Sequence, residues 1–132
     1  MAVSLLIITH DNIGESLVDT AISMLGVSPL HVDTIGVKSN QNPDDILAEA
    51  IKLIKNNKST LVLTDMYGST PSNIACHLHE QGSVSIISGI NLPMLVRVLN
   101  YPRLALDELV NKALSGGKDG VLTCNMEQHH ND

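Results

Sequence analysis

Three stretches of this chain are almost wholly apolar and have the length of a strand: Val3 to Thr9 (VSLLIIT), Thr60 to Thr64 (TLVLT) and Val84 to Ser88 (VSIIS). A strand with one wet face alternates apolar and polar residues, whereas a strand covered on both faces does not. Runs of this kind require a layer on each side, and the segments between them are helical in pattern. Ile13, Leu17, Ala21, Met24 and Leu25 recur at helical spacing, and Gly26 is placed to stop that helix. A weaker strand is expected around His31 to Val37. Asn42 then reads as an N-cap, with Pro43 at the first helical position and Asp44 and Asp45 in the first turn. Thr70-Pro71 reads as a cap plus proline, opening a helix to about His79 that Gly82 ends. Leu92-Pro93 opens another to about Leu99. Leu106, Leu109, Val110, Ala113 and Leu114 make a last amphipathic helix, expected to stop at Gly116-Gly117, with a short fifth strand from Gly120 to Cys124 (GVLTC).

This order predicts an α/β fold: an open, mostly parallel four-stranded sheet with helices on both faces, plus the short C-terminal strand. The 132 residues suit one domain, expected over residues 1–126, with a polar, disordered tail at 127–132. With no Trp or Phe, and only Tyr67 and Tyr101 as aromatics, the core must be aliphatic. A net charge of -6 and the lack of stacking platforms argue against nucleic acid as a partner. No apolar run reaches the length of a membrane span and no leader pattern opens the chain, so no membrane insertion and a cytoplasmic location are expected. Cys76 and Cys124 do not make a disulfide framework and are expected to be reduced.

In open parallel sheets, ligands sit beyond the carboxyl ends of the strands, where the strand order reverses. That rule selects His10-Asp11-Asn12, Asp65 to Thr70, and Gly89-Ile90-Asn91. With the first and third strands adjacent, His10 and Asp65 face each other. A carboxylate that accepts one ring N–H of a histidine fixes its tautomer and leaves the other nitrogen's lone pair outward, as nucleophile or base. Gly68-Ser69-Thr70, at a helix start, offers backbone N–H groups and two hydroxyls to an anion. Each feature has an ordinary reading when taken singly. His10 is then a loop residue, Asp65 a turn residue, Thr70-Pro71 a helix start, and Gly89 to Pro93 a connection. Their joint placement at strand ends indicates a ligand site without choosing among histidine chemistries. His77 and His79 lie two apart and point to different sides of a helix. His31 opens a strand, and His129 and His130 lie in the tail. There is no zinc pattern, P-loop or GxGxxG.

The residues at these strand ends resemble those of the mannose-family enzyme IIA domains of the bacterial sugar phosphotransferase system. Three blocks carry the likeness: Thr9-His10; the run Asp65-Met66-Tyr67-Gly68-Ser69-Thr70-Pro71-Ser72-Asn73; and Gly89-Ile90-Asn91-Leu92-Pro93-Met94-Leu95. Thr70 stands where the family often has Ser, and Tyr67 where it usually has Trp. The resemblance implies a phosphotransferase component in which His10 accepts a phosphoryl group from the phosphohistidine of HPr and gives it to a IIB subunit. Asp65 orients the imidazole, and Gly68, Ser69 and Thr70 hold the phosphoryl oxygens. It implies no cofactor and no metal, and a homodimer that exchanges its C-terminal strand. A sister group, the phosphotransfer subunit of dihydroxyacetone kinase, shares Asp65-Met66 and then diverges at Tyr67 and Thr70-Pro71. A regulatory phosphoprotein without transport is a further alternative. A receiver domain phosphorylated on Asp65 would want an acidic pair after the first strand and a late lysine, and this chain has neither in place.

Overall fold

The apolar runs do form strands covered on both faces. In a computed structural model, which describes residues 2–125, β1 (Ser4–His10), β2 (Val32–Val37), β3 (Thr60–Thr64) and β4 (Val84–Ser88) make one sheet in the order β2-β1-β3-β4. All three pairings are parallel, with Ile8 opposite both Ile35 and Thr64. The intervening helices are α1 (Ile13–Leu25), α2 (Pro43–Ile54), α3 (Thr70–Cys76), α4 (Leu92–Leu99) and α5 (Leu106–Asp119).

Alternate strand residues feed two aliphatic layers. Leu5, Ile7, Leu61, Leu63 and Ile87 pack with Val18 and Ala21 of α1, Leu95 and Val98 of α4, and Leu109 and Ala113 of α5. Leu6, Ile8, Ile35, Val37 and Val62 pack with Ile46, Ala50 and Ile54 of α2 and Ile74 and Ala75 of α3. The central strands β1 and β3 are nearly inaccessible to water from Leu5 to Thr9 and from Thr60 to Thr64, as their unbroken apolar patterns require. The strand order reverses between them, so the carboxyl ends of β1 and β3 open one crevice.

The helix punctuation follows the sequence in most places. Asn42 caps α2 by accepting the Asp44 N–H at 2.9 Å. Gly26 ends α1 in the left-handed conformation, with φ 78°. Asn91 caps α4 by accepting the Met94 N–H at 2.9 Å. Three boundaries differ from the expectation. Ser69, not Thr70, is the N-cap of α3, and Thr70 is its first residue. Beyond Cys76 the chain tightens into a 3-10 turn, His77–Gln81, instead of continuing as α-helix to His79. Gly116 and Gly117 do not stop α5, which runs through both to Asp119. They are there for proximity: a Cβ on Gly116 would meet the Arg97 Cβ at 2.8 Å, and one on Gly117 the Met94 Cε at 2.7 Å. Gly120 caps α5, and the segment 121–125 is not a strand within the single chain. The domain limit at 126 and the tail 127–132 lie outside the described residues.

Candidate active site

In the β1–β3 register Ile8 lies opposite Thr64, so β1 runs two residues past the end of β3 and His10, its last residue, comes beside Asp65, the first residue after β3. One carboxylate oxygen, Asp65 Oδ2, takes both the His10 backbone N–H at 2.9 Å and the His10 Nδ1 at 2.7 Å. The other, Oδ1, accepts the Met66 N–H at 3.0 Å. Burial pushes the Asp65 carboxyl up, but the hydrogen bonds from the His10 backbone and imidazole, with the attraction of the ring's charge, hold it below its ordinary value. Near neutral pH the group is therefore an acceptor only, and Nδ1 must be the donor. That assigns the proton to Nδ1 and turns the lone pair of Nε2 away from Asp65. The carboxylate is only 13% exposed while the imidazole is 48% exposed, so the ring is far more open to solvent than the group that anchors it.

The turn after His10 is held by contacts that sequence reasoning did not foresee. Thr9 is fully buried, and its hydroxyl accepts the Gly14 N–H at 2.8 Å and donates to the His10 carbonyl at 3.2 Å. Asp11 has φ 42°, a left-handed conformation that Asp tolerates better than most residues. Its N–H donates to the Val37 carbonyl at 3.0 Å, and its own carbonyl lies over Gly36 where any Cβ would overlap it. A glycine inside a strand signals close backbone approach, and Gly36 in the β2 pattern was that signal. Below Asp65, the buried Thr64 hydroxyl donates to Ser88 at 2.7 Å, and Ser88 pairs with the buried Ser72 at 3.2 Å. This chain of hydroxyls ties the ends of β3 and β4 to the first turn of α3.

A cavity of about 670 Å3 opens at His10, and its lining includes Asp11, Lys38, Gln41 and Thr70. Thr70 is thus brought to the histidine's side of the crevice. Gly68 and Ser69 lie in the preceding turn and do not line that cavity. Gly68 has φ 83°, and a Cβ on it would meet nothing within 4 Å, so its backbone angle rather than a close approach calls for glycine. The Ser69 hydroxyl donates to the Met66 carbonyl at 2.6 Å, closing the loop on itself. Gly89 to Asn91 also stand apart from the histidine cavity. Gly89 and Ile90 N–H groups both donate to the Thr64 carbonyl at 2.9 Å, and Asn91 Nδ2 donates to the Gly117 carbonyl at 3.0 Å. That block joins β4 to the α4–α5 pair. Among the described residues no group of three or more His, Cys, Asp or Glu is arranged to hold a metal ion, and no helix is long and apolar enough to cross a membrane.

Comparison with known proteins places this geometry in context. The family described as the PTS system fructose IIA component matches residues 4–114. The PTS system mannose-specific EIIAB component of Escherichia coli (strain K12) is 31% identical over 128 residues, covering 92% of this chain and 39% of that protein. The chain thus spans about two fifths of that relative. The mannose/sorbose-specific IIA subunit of Enterococcus faecalis superposes with a TM-score of 0.86 over 96% of this chain and 97% of that one; at 22% identity it shows the shared fold. The PTS IIA protein associated with the fucose utilization operon of Streptococcus pneumoniae matches at 26% identity with a TM-score of 0.74, covering 98% of this chain and 99% of that one.

Proposed function

The chain belongs to the mannose-type IIA family of the sugar phosphotransferase system, and on that premise we propose that it carries a phosphoryl group on Nε2 of His10, taken from the phosphohistidine of HPr and passed to a IIB subunit. The observation that carries this reading is the 2.7 Å contact between His10 Nδ1 and an ionised Asp65. In the transfer, the Nε2 lone pair attacks phosphorus in line. The P–N bond to the donor imidazole breaks, and its electron pair returns to the donor ring. The Nδ1 proton stays in the hydrogen bond to Asp65, whose negative charge offsets the positive charge that the phosphorylated imidazole gains. Transfer onward repeats the step with His10 as the leaving group. Of the three residues expected to hold the phosphoryl oxygens, Thr70 lines the cavity at His10 and supplies a donor to them, while Gly68 and Ser69 shape the turn that delivers it; no metal is required. The same reading makes the protein a homodimer. A receiver-type reaction at Asp65 is disfavoured because both of its oxygens already accept hydrogen bonds.

The test is labelling with phosphoenolpyruvate, enzyme I and HPr. The wild-type protein takes up one phosphoryl group in an acid-labile, base-stable bond, and His10→Ala takes up none. Undiminished labelling of His10→Ala, or a bond cleaved by hydroxylamine, would sink the proposal. Acceptor assays then separate the roles: discharge by a IIB subunit supports sugar transport, and discharge only by a dihydroxyacetone kinase subunit moves the chain to the sister group.

A further inference from the structure

The transfer step leaves one cation at the histidine unused. Lys38 is the sole lysine or arginine lining the cavity that opens at His10, and it also lines the adjoining cavity with Asp11 and Glu15. Its place is set by the sheet. His10 pairs with Val37 across the β1–β2 ladder, and the Asp11 N–H donates to the Val37 carbonyl at 3.0 Å. Lys38 therefore leaves β2 level with the turn that carries His10. Its backbone is closed on Gln41 from both sides: the Lys38 N–H donates to Gln41 Oε1 at 2.8 Å, and the Gln41 N–H donates to the Lys38 carbonyl at 3.1 Å. The loop thus fixes where this side chain departs. Among the described residues Lys38 makes no ion pair, although the chain's formal charge is -6.

The electrostatics of the loaded state call for a cation here. A phosphoryl group on Nε2 adds up to two negative charges close to Asp65 and Asp11, and like charges at a few ångströms repel. Asp65 is matched to the imidazolium, not to the phosphoryl oxygens. Neutral donors such as Thr70 solvate those oxygens without cancelling charge. A lysine ammonium is a compact point charge on a flexible stem, suited to an anion whose position shifts between donor, carrier and acceptor. We propose that Lys38 is the phosphoryl-binding cation of this site, its ammonium pairing with the non-bridging oxygens of the group on His10. This inference rests on His10 being the phosphorylated residue. It does not rest on the identity of the donor or acceptor protein.

The experiment exploits that independence. Phosphoramidate phosphorylates imidazoles without any partner: Nε2 attacks phosphorus, the N–P bond forms, and the reagent's P–N bond breaks to release ammonia. The full-length wild type, Lys38→Gln and Lys38→Arg are loaded in this way, and the phosphoryl resonance is followed by 31P NMR across pH. The resonance missing from His10→Ala identifies the site. Loss of a nearby cation favours the monoanion, so the monoanion–dianion midpoint should rise in Lys38→Gln by about half a unit or more and return in Lys38→Arg. Transfer from phospho-HPr should fall by about 10-fold in Lys38→Gln, with partial recovery in the Arg variant. One midpoint shared by all three proteins overturns the proposal. So does a change confined to the salt dependence of the HPr reaction, which would make Lys38 a docking residue. A His10 resonance with the expected shifts, in a protein that HPr cannot load, leaves Lys38 standing and removes the carrier reading. Absence of any His10 resonance in the wild type overturns both.

Discussion

Asp65 shows how one residue can serve orientation and charge at once. Its Oδ2 holds the backbone and the ring of His10 together, so the strand end and the tautomer are set by the same atom. In Asp65→Asn the shape is kept, but an amide can offer Nδ2 as donor, which favours the ring tautomer with its proton on Nε2. The reactive nitrogen then loses its lone pair, and we expect transfer from phospho-HPr to slow by about 10²-fold or more, on the precedent of misoriented catalytic imidazoles. Rapid-quench labelling measures it, and wild-type rates would reduce Asp65 to a structural residue. The carboxyl also links pH to stability. Its folded-state pKa is depressed, so its stabilising contribution is present above the unfolded value and is lost as pH falls through the folded one. The advantage of wild type over Asp65→Asn in urea unfolding should therefore be full at pH 6 and fade below about pH 4. Both residues of this pair were readable in the sequence, because strand-end position is a local pattern. The Thr9 clamp, the left-handed Asp11 and its seat over Gly36 were not, since they depend on where β2 lies beside β1.

At the scale of the element, α5 is where local pattern and tertiary demand part. Two consecutive glycines after an amphipathic stretch read as a helix stop, since glycine is a poor helix former. The helix continues because α4 lies so close that side chains at these positions have no room, and packing outweighs propensity. The two glycines are not equivalent. At Gly116 the obstructing atom is the Arg97 Cβ, with the Pro93 carbonyl at 3.3 Å, both anchored to backbone. At Gly117 it is the Met94 Cε, the far end of a flexible side chain. Gly116→Ala should accordingly lower stability by about 1–3 kcal/mol through overpacking. In Gly117→Ala the helix-propensity gain of about 1 kcal/mol offsets much of the adjustment by Met94. Chemical denaturation of the two variants reads the difference, and equal losses would mean that the close approach of α4 is not what holds these positions. Helix starts were more legible than this stop. Asn42-Pro43 and Asn91-Leu92-Pro93 place cap and proline within two residues of each other, and such signals act within a single turn. Even so, the Ser69-Thr70-Pro71 start was read one residue late, because either hydroxyl residue suits a cap.

For the molecule as a whole, the β4 edge of the sheet is what bears on assembly. Among the described residues the order β2-β1-β3-β4 leaves β4 with a neighbour on one side only. Next to it a groove of about 410 Å3 is lined by Tyr67, Ile86, Val110 and Leu114, among others. Tyr67 is 82% exposed and Leu114 51%. Val121 and Leu122, just past α5, are 75% and 74% exposed. An open apolar edge and an exposed apolar pair just past α5 are the two surfaces that an exchange of the C-terminal strand between two copies would bring together. Since Gly116 and Gly117 are helical and buried, the hinge for such an exchange begins at Gly120 and not at the glycine pair. The informative truncation therefore ends the chain at Gly120, leaving α5 and its packing intact. Full-length protein should elute at roughly 28 kDa, twice the chain mass of 14.2 kDa. The shortened protein should move toward monomer or aggregate. Its loading by phospho-HPr, measured at concentrations where it stays soluble, should persist, because His10 and Asp65 lie at strand ends of a single chain. Light scattering that finds a monomer at micromolar full-length protein, or a dimer untouched by the truncation, would reject the exchange. A loss of loading in a well-folded monomer would show instead that the second copy completes the site.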